Sequence, residues 1–278
     1  ISLLLYTRGG NTLAAWSLVN LIRQFCDEFE VIIPSKCHSA GTLMSLGANT
    51  IVMTKQATLG PIDPSLNGPL NPQNPQAPQN PQARVPVSVE SIKGYFELAQ
   101  QDLKIQNENE LKDILINLSN QVHPLVLGDV YRSRTQIQML AKKLLSKQIK
   151  DAENIEKIIS FLCSDSGSHD YTIYRREAKN ELGLNIEKPD DDFYEIIKKT
   201  FNDIKFELKL NTAFDPNVIL GNQLSVDYSC RRVLIESVDS GTNVYVSEGS
   251  LIKNVQNIQQ QPPLPPIQRT LIDDQRKF

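Results

Sequence analysis

The chain opens on an uninterrupted apolar run, "ISLLLY", which the polar break "TRGGN" closes. A short run bounded by turn residues predicts a strand covered on both faces. "TLAAWSLVNLIRQF" follows with apolar positions at helical spacing, and Leu13, Trp16, Leu18, Leu21, Ile22 and Phe25 favour one side. "FEVIIP" returns to strand, "SAGTLMSLGA" predicts a helix of small residues, and "NTIVMT" a third strand. Strand, helix, strand, helix, strand predicts βαβ units and a parallel sheet. Right-handed crossovers then leave the glycine turn and the serine turn at the carboxyl ends of strands, where open α/β sheets place their sites.

The pattern breaks from Pro64 to Pro86, in "PSLNGPLNPQNPQAPQNPQARVP". Proline removes backbone donors and restricts its predecessor, so this stretch predicts a long mobile loop bordering the cleft rather than a helix. Helical spacing resumes in "SVESIKGYFELAQQDLKI", with Ser88 or Ser91 as its cap, and continues through "ENELKDILINLSNQV", "SRTQIQMLAKKLLSK", "AENIEKIISFLC" and "DDDFYEIIKKTF". Residues 205–253 alternate in a β manner in "KFELKL", "RRVLIES" and "NVYVSEG". "QNIQQQPPLPPIQRT" predicts an exposed polyproline II tail.

Charge and composition narrow the partners. The chain has 278 residues and a net charge of -3, with lysine and arginine scattered along it. That balance excludes the basic footprint of nucleic-acid binding and a polybasic membrane patch. No run approaches the roughly 18 apolar residues that span a bilayer. The first residue is Ile1, directly on a strand, so the chain reads as a fragment or processed form. It is expected to be cytoplasmic, or a cytoplasmic domain anchored through a segment outside this sequence. Cys26, Cys37, Cys163 and Cys230 are widely spaced and form no CxxC pair. They are expected to be buried structural thiols, with no metal and no cofactor implied.

The two turns carry the candidate chemistry. Gly9 and Gly10 let the backbone approach a ligand closely, and the N–H groups there can hold a developing oxyanion. Ser39 precedes a helix beginning with Ala40 and Gly41, whose small side chains admit a substrate carbonyl. The Gly10 and Ala40 N–H groups would supply the two donors that acyl transfer needs. A helix N-cap is the plain alternative for Ser39.

"LLLYTRGGNTLAAWSLVNLI" followed by "CHSAGTLMSLGANTIVMTKQATLGPIDP" resembles the Clp protease and crotonase superfamily. It is more similar to the serine dehydrogenase proteinase family, relatives of signal peptide peptidase A. "HPLVLGDVYRSRTQIQMLAKKLL" and "HDYTIYRREAKNELGL" extend the resemblance, which covers roughly residues 2–187. Arg8 stands where the family often has proline. The resemblance implies an α/β fold, a Clp/crotonase-like superhelix of repeated ββα (βαβ) units with a helical segment, and a peptidase domain over residues 1–190. The composition and alternation described above add to it the inserted mobile loop 64–86, a C-terminal helix and β-rich appendage over 191–253 and a disordered tail over 254–278. The resemblance also implies a nucleophilic Ser39, an oxyanion hole from Gly10 and Ala40, a homo-oligomer, and a peptide or protein substrate such as a membrane-protein fragment.

A serine hydroxyl needs a base. The place of the Clp histidine is taken by Pro64, or by Pro61 when the third strands are matched. Three other candidates remain. His169 could act with Asp170, which falls at the family's acid position. Lys93 could form a Ser-Lys dyad of the signal peptide peptidase type. His38 adjoins Ser39, but neighbours on an extended strand point to opposite faces. His123 has no argument beyond its helix-end position. A crotonase-type acyl-CoA enzyme and a non-catalytic protease-fold scaffold are the competing readings.

Overall fold

The computed structural model describes residues 1–63, 65–165, 168, 170–258 and 267–277. In chain order the elements are β1 (Ser2–Leu4), α1 (Thr12–Ile22), β2 (Glu30–Ile33), β3 (Lys36–Cys37), α2 (Ala40–Leu46), β4 (Thr50–Met53) and β5 (Thr58–Leu59). Next come β6 (Ser65–Leu66), β7 (Val87–Ser88), α3 (Val89–Glu97), α4 (Glu108–Gln121), α5 (Pro124–Leu145) and α6 (Ala152–Ser160). The chain continues through β8 (Ile173–Tyr174), α7 (Arg175–Asn180), β9 (Ile186–Glu187), α8 (Asp191–Glu207), α9 (Pro216–Leu220), β10 (Ser225–Ser237), β11 (Gly241–Ile258) and β12 (Ile267–Lys277). Single π-helical turns, Leu98–Asp102 and Phe161–Asp165, extend α3 and α6. This mixture of helix and sheet fits the α/β class, and the chain forms two compact units, Ile1–Tyr194 and Glu195–Phe278.

In the first unit the expected parallel sheet is present, with strand order β1-β2-β4-β9 and every pair parallel. A smaller sheet, β3-β5-β8, holds the segments that follow β2 and β4. Val31, Ile33, Ile51 and Met53 from the main sheet are fully buried with Leu43 and Leu46 of α2 and Leu145 of α5. The buried side of α1 differs from the expected one. Ala15 and Val19 are buried and Trp16 and Ile22 pack on the core, whereas Leu13, Leu18, Leu21 and Phe25 are exposed. Small side chains win the inner face because α1 lies close to α2: a Cβ on Gly47 would sit 2.5 Å from Val19 Cγ1.

The Asn/Pro/Gln segment, expected as a mobile loop, has a defined hydrogen-bond pattern. Ala77, Asn80 and Ala83 each donate an N–H three residues back, to the carbonyls of Asn74, Ala77 and Asn80. The three-residue sequence period thus becomes a chain of successive turns, which proline at the second position favours. Asn71 is buried and ties the base of the segment. β6 and β7 pair antiparallel beside it.

In the second unit β10, β11 and β12 form an antiparallel sheet in that order. Leu220 of α9 is buried with Tyr228 and Leu251. Two sequence expectations fail here. "KFELKL" begins as the last turn of α8, because the buried pair Ile197 and Phe201 extends a helical rather than an alternating pattern. Residues 254–258 and 267–277, expected in a disordered tail, belong to β11 and β12, where their backbone groups pair with each other across the ladder. The proline run between them lies outside the described residues.

Candidate active site

The site is assembled by joining the glycine turn to the serine turn. Thr7 bridges Cys37 in parallel register: its N–H donates to the Lys36 carbonyl at 3.0 Å, and its carbonyl accepts from the His38 N–H at 3.1 Å. Thr7 Oγ1 also donates to the Gly9 carbonyl at 3.0 Å and accepts from the Gly9 N–H at 3.1 Å. Gly9 has φ +137°, and a Cβ there would lie 3.1 Å from Ser39 Cβ. Both the conformation and the close approach require glycine.

Ser39 itself has φ 53° and ψ −111° and makes no side-chain capping bond to α2. The N-cap alternative therefore has no support in the geometry. A non-glycine residue at positive φ outside the left-handed helical basin is strained, and such strain collects at functional sites. Its carbonyl still accepts from the Leu43 N–H at 3.0 Å, so the residue starts the helix through its backbone alone. Gly41 is needed next, because a Cβ there would meet Thr7 Cγ2 at 2.4 Å and Cys37 Sγ at 2.8 Å.

Among the described residues the Gly10 and Ala40 N–H groups have no hydrogen-bond partner. A Cβ placed on Gly10 would lie 4.0 Å from Ala40 Cβ, so the two residues are neighbours across the turns. Ser39, Gly9 and Gly10 line one cleft of about 530 Å³ together with Arg8, Asn11, Asp63, Leu66, Ser133 and Gln136.

Thr42, fully buried, ties α2 to the segment that follows β5. Its Oγ1 lies 2.8 Å from the Gly60 carbonyl and 3.1 Å from the Cys37 carbonyl, to which it donates, and it accepts from the Gly60 N–H at 3.1 Å. Sequence reasoning missed Thr42 and Asp63. The available signals were a hydroxyl inside an otherwise apolar helix and a carboxylate in the turn after "LGPI".

The expected bases fall in different places. His38 Nε2 is 2.9 Å from Thr58 Oγ1, and its ring packs over Gly60. His123 caps α5, its Nδ1 accepting from the Leu125 N–H at 3.2 Å. Asp170 is exposed, takes no part in the cleft lining, and donates its N–H to Ser168 Oγ at 3.2 Å. His169 lies outside the described residues. Lys93 pairs with Glu97 at 3.2 Å, and only 20% of its side chain is exposed. It belongs to a charged group on α3 and α5 that reaches the cleft at Asp63. Burial pushes the Glu90 carboxyl up, Lys93 opposes that shift, Asp63 and Glu97 reinforce it, and Arg134 opposes it. Glu90 Oε1 is buried without a hydrogen-bond partner among the described residues. Ser88 Oγ donates to Asp63 Oδ2 at 3.1 Å.

All four cysteines are free thiols; Cys37 and Cys163 are buried, whereas Cys26 and Cys230 are partly exposed. Burial pushes the Cys37 thiol up to about 12, against a small opposing effect of the Ser45 hydroxyl, so it is no nucleophile. Among the described residues no group of three or more His, Cys, Asp or Glu could hold a metal ion, and no helix is long and apolar enough to cross a membrane.

An uncharacterized protein of Methanocaldococcus jannaschii is 30% identical over 188 residues, which are 67% of this chain and 53% of the relative. A second uncharacterized protein of that organism is 26% identical over 187 residues, 67% of this chain and 51% of the relative. The chain spans about half the length of these curated relatives. No solved structure matches it. The model of the ClpP-like SDH-type serine proteinases matches residues 1–78, the segment that contains both turns, Ser39 and Asp63. Over that segment the chain is similar to the ClpP-like SDH-type serine proteinases.

Proposed function

We propose that the chain is a serine peptidase that cleaves peptides or membrane-protein fragments through an acyl-enzyme on Ser39. One observation carries the reading. Ser39 sits at positive φ, is not used as a helix cap, and opens on a cleft beside two neighbouring N–H groups that have no hydrogen-bond partner among the described residues. In the first step Ser39 Oγ attacks the scissile carbonyl while a base takes its proton. The Gly10 and Ala40 N–H groups hold the resulting oxyanion. The C–N bond then breaks, and the amine leaves with the proton. Water attacks the ester in the same way and releases the acid.

For the base, Lys93 stands ahead of the His169–Asp170 pair. Lys93 is mostly withdrawn from solvent and belongs to the charged group that meets the cleft at Asp63, whereas Asp170 is exposed; neither of the two lines the cleft itself. The Clp/crotonase-like superhelix, the C-terminal β-rich appendage and a homo-oligomeric state complete the proposal. A serine-reactive fluorophosphonate tests it: labelling should occur at Ser39 and disappear in Ser39→Ala, and labelling of the variant at the wild-type level would remove Ser39 as nucleophile. A crotonase-type enzyme or a scaffold would not be labelled.

A further inference from the structure

We propose that a second, apolar subsite, built by residues 66–71 against α5, receives one large apolar side chain of an extended peptide whose scissile bond lies at Ser39. The inference rests on the peptidase reading for the identity of its occupant. Its basis is a hollow of about 650 Å³ that shares Leu66, Ser133 and Gln136 with the Ser39 cleft. The two spaces therefore adjoin across these three residues, close enough for one extended chain to reach both.

The hollow has the features of a binding site rather than a surface irregularity. Its size falls within the range of about 300–1,000 Å³ seen for ligand pockets. Leu70 and Met139 line it yet are 46% and 45% exposed, so an apolar side chain covering them would remove apolar surface from water. One acid and one base in the lining, Asp129 and Arg132, give the hollow no dominant sign of charge to select a charged residue.

The wall is also held in place. Asn71 is 3% exposed, and its Nδ2 donates to the Leu66 carbonyl at 2.7 Å and the Val85 carbonyl at 2.9 Å. Its carbonyl accepts from Arg84 Nη1 at 3.1 Å, and its N–H donates to the Gly68 carbonyl at 3.1 Å. One buried amide thus closes the stretch that carries Leu66 and Leu70 into a fixed turn, and a wall fixed in advance discriminates better between side chains. An extended peptide presents alternate side chains to one face. A single register should therefore place an apolar residue in the hollow while the scissile carbonyl lies at the Gly10 and Ala40 amides.

The test uses the full chain and ten-residue peptides carrying one leucine moved along an otherwise polar sequence. Binding is read by fluorescence anisotropy on Ser39→Ala, so that it does not depend on turnover. One leucine register should bind roughly tenfold or more tightly than the others, as the burial of one leucine implies. That preference should be lost in the Leu70→Asp and Met139→Asp backgrounds and kept in Leu70→Met. Unchanged unfolding midpoints show that the variants are folded. Equal binding of every register, or a preference that survives both aspartate substitutions, overturns the subsite. Cleavage by the wild type, measured separately, tests the peptidase reading: a register preference without cleavage supports the subsite and defeats that reading, and cleavage without a preference defeats the subsite alone.

Discussion

At the scale of single residues the account turns on Ser39 and its neighbours. Ser39 keeps its strained backbone because Gly41, Thr7 and Cys37 are packed too closely to let the turn relax. Alanine inherits that strain and glycine does not, so Ser39→Gly should unfold at higher denaturant than Ser39→Ala, by about 1 kcal/mol. Equal stability of the two variants would deny the strain. Cys37 gives a pH prediction. Its folded pKa, about 12, lies above its ordinary value of 9.0. The unfolded chain then loses the proton first, so the contribution is fully present below about 9 and declines as pH rises toward 12. The slope approaches about 1.4 kcal/mol per pH unit. Chemical unfolding across that window should show the decline in the wild type and a shallower one in Cys37→Ala. The serine and the two glycines were legible in the sequence because their residue types are the chemistry. Thr42 was not, since a buried threonine in a helix looks like any β-branched core residue until the chain brings the Gly60 carbonyl to it.

At the scale of elements the local pattern predicted existence well and burial less well. The three parallel strands and the two helices between them were legible because continuous apolar runs and helical spacing are local signals. The inner face of α1 was not, because the choice of Ala15 and Val19 over Leu13 and Leu18 is made by the closeness of α2, a long-range fact. The prolines argued against helix between residues 64 and 86, and residues 65–86 form none, but the Asn71 clamp depends on Arg84 and Val85, far along the chain. This segment divides into two parts with different expected effects. Shortening residues 75–82 to a two-residue turn should change stability by less than about 1 kcal/mol, since closure entropy varies slowly with loop length. Asn71→Ala should cost about 1–3 kcal/mol, because two carbonyls lose their buried donor. Thermal unfolding of both variants checks the contrast, and a larger loss from the shortening would reverse it. On α3 the choice of base has its own signature. If Lys93 takes the serine proton, Lys93→Ala should lower the acylation rate by roughly 100-fold to 10,000-fold. A rate that levels off just above the ordinary histidine range, about 6.5, with Lys93→Ala near neutral, would transfer the role to His169.

At the scale of the whole molecule, one unit carries the two turns, the cleft and the adjoining hollow, and the other a three-stranded antiparallel sheet. The proposed homo-oligomer predicts a solution mass that is a multiple of the single chain, measured by light scattering at the concentration used for the assays; a single-chain mass would refute it. Everything proposed about substrate and mechanism depends on one hydroxyl being activated. The most direct measurement is therefore the site of covalent modification by a fluorophosphonate, mapped by mass spectrometry on the intact, folded chain. The account predicts stoichiometric modification at Ser39, accelerated over free serine and abolished in Ser39→Ala. Modification elsewhere, or none on a chain that is demonstrably folded, would contradict it.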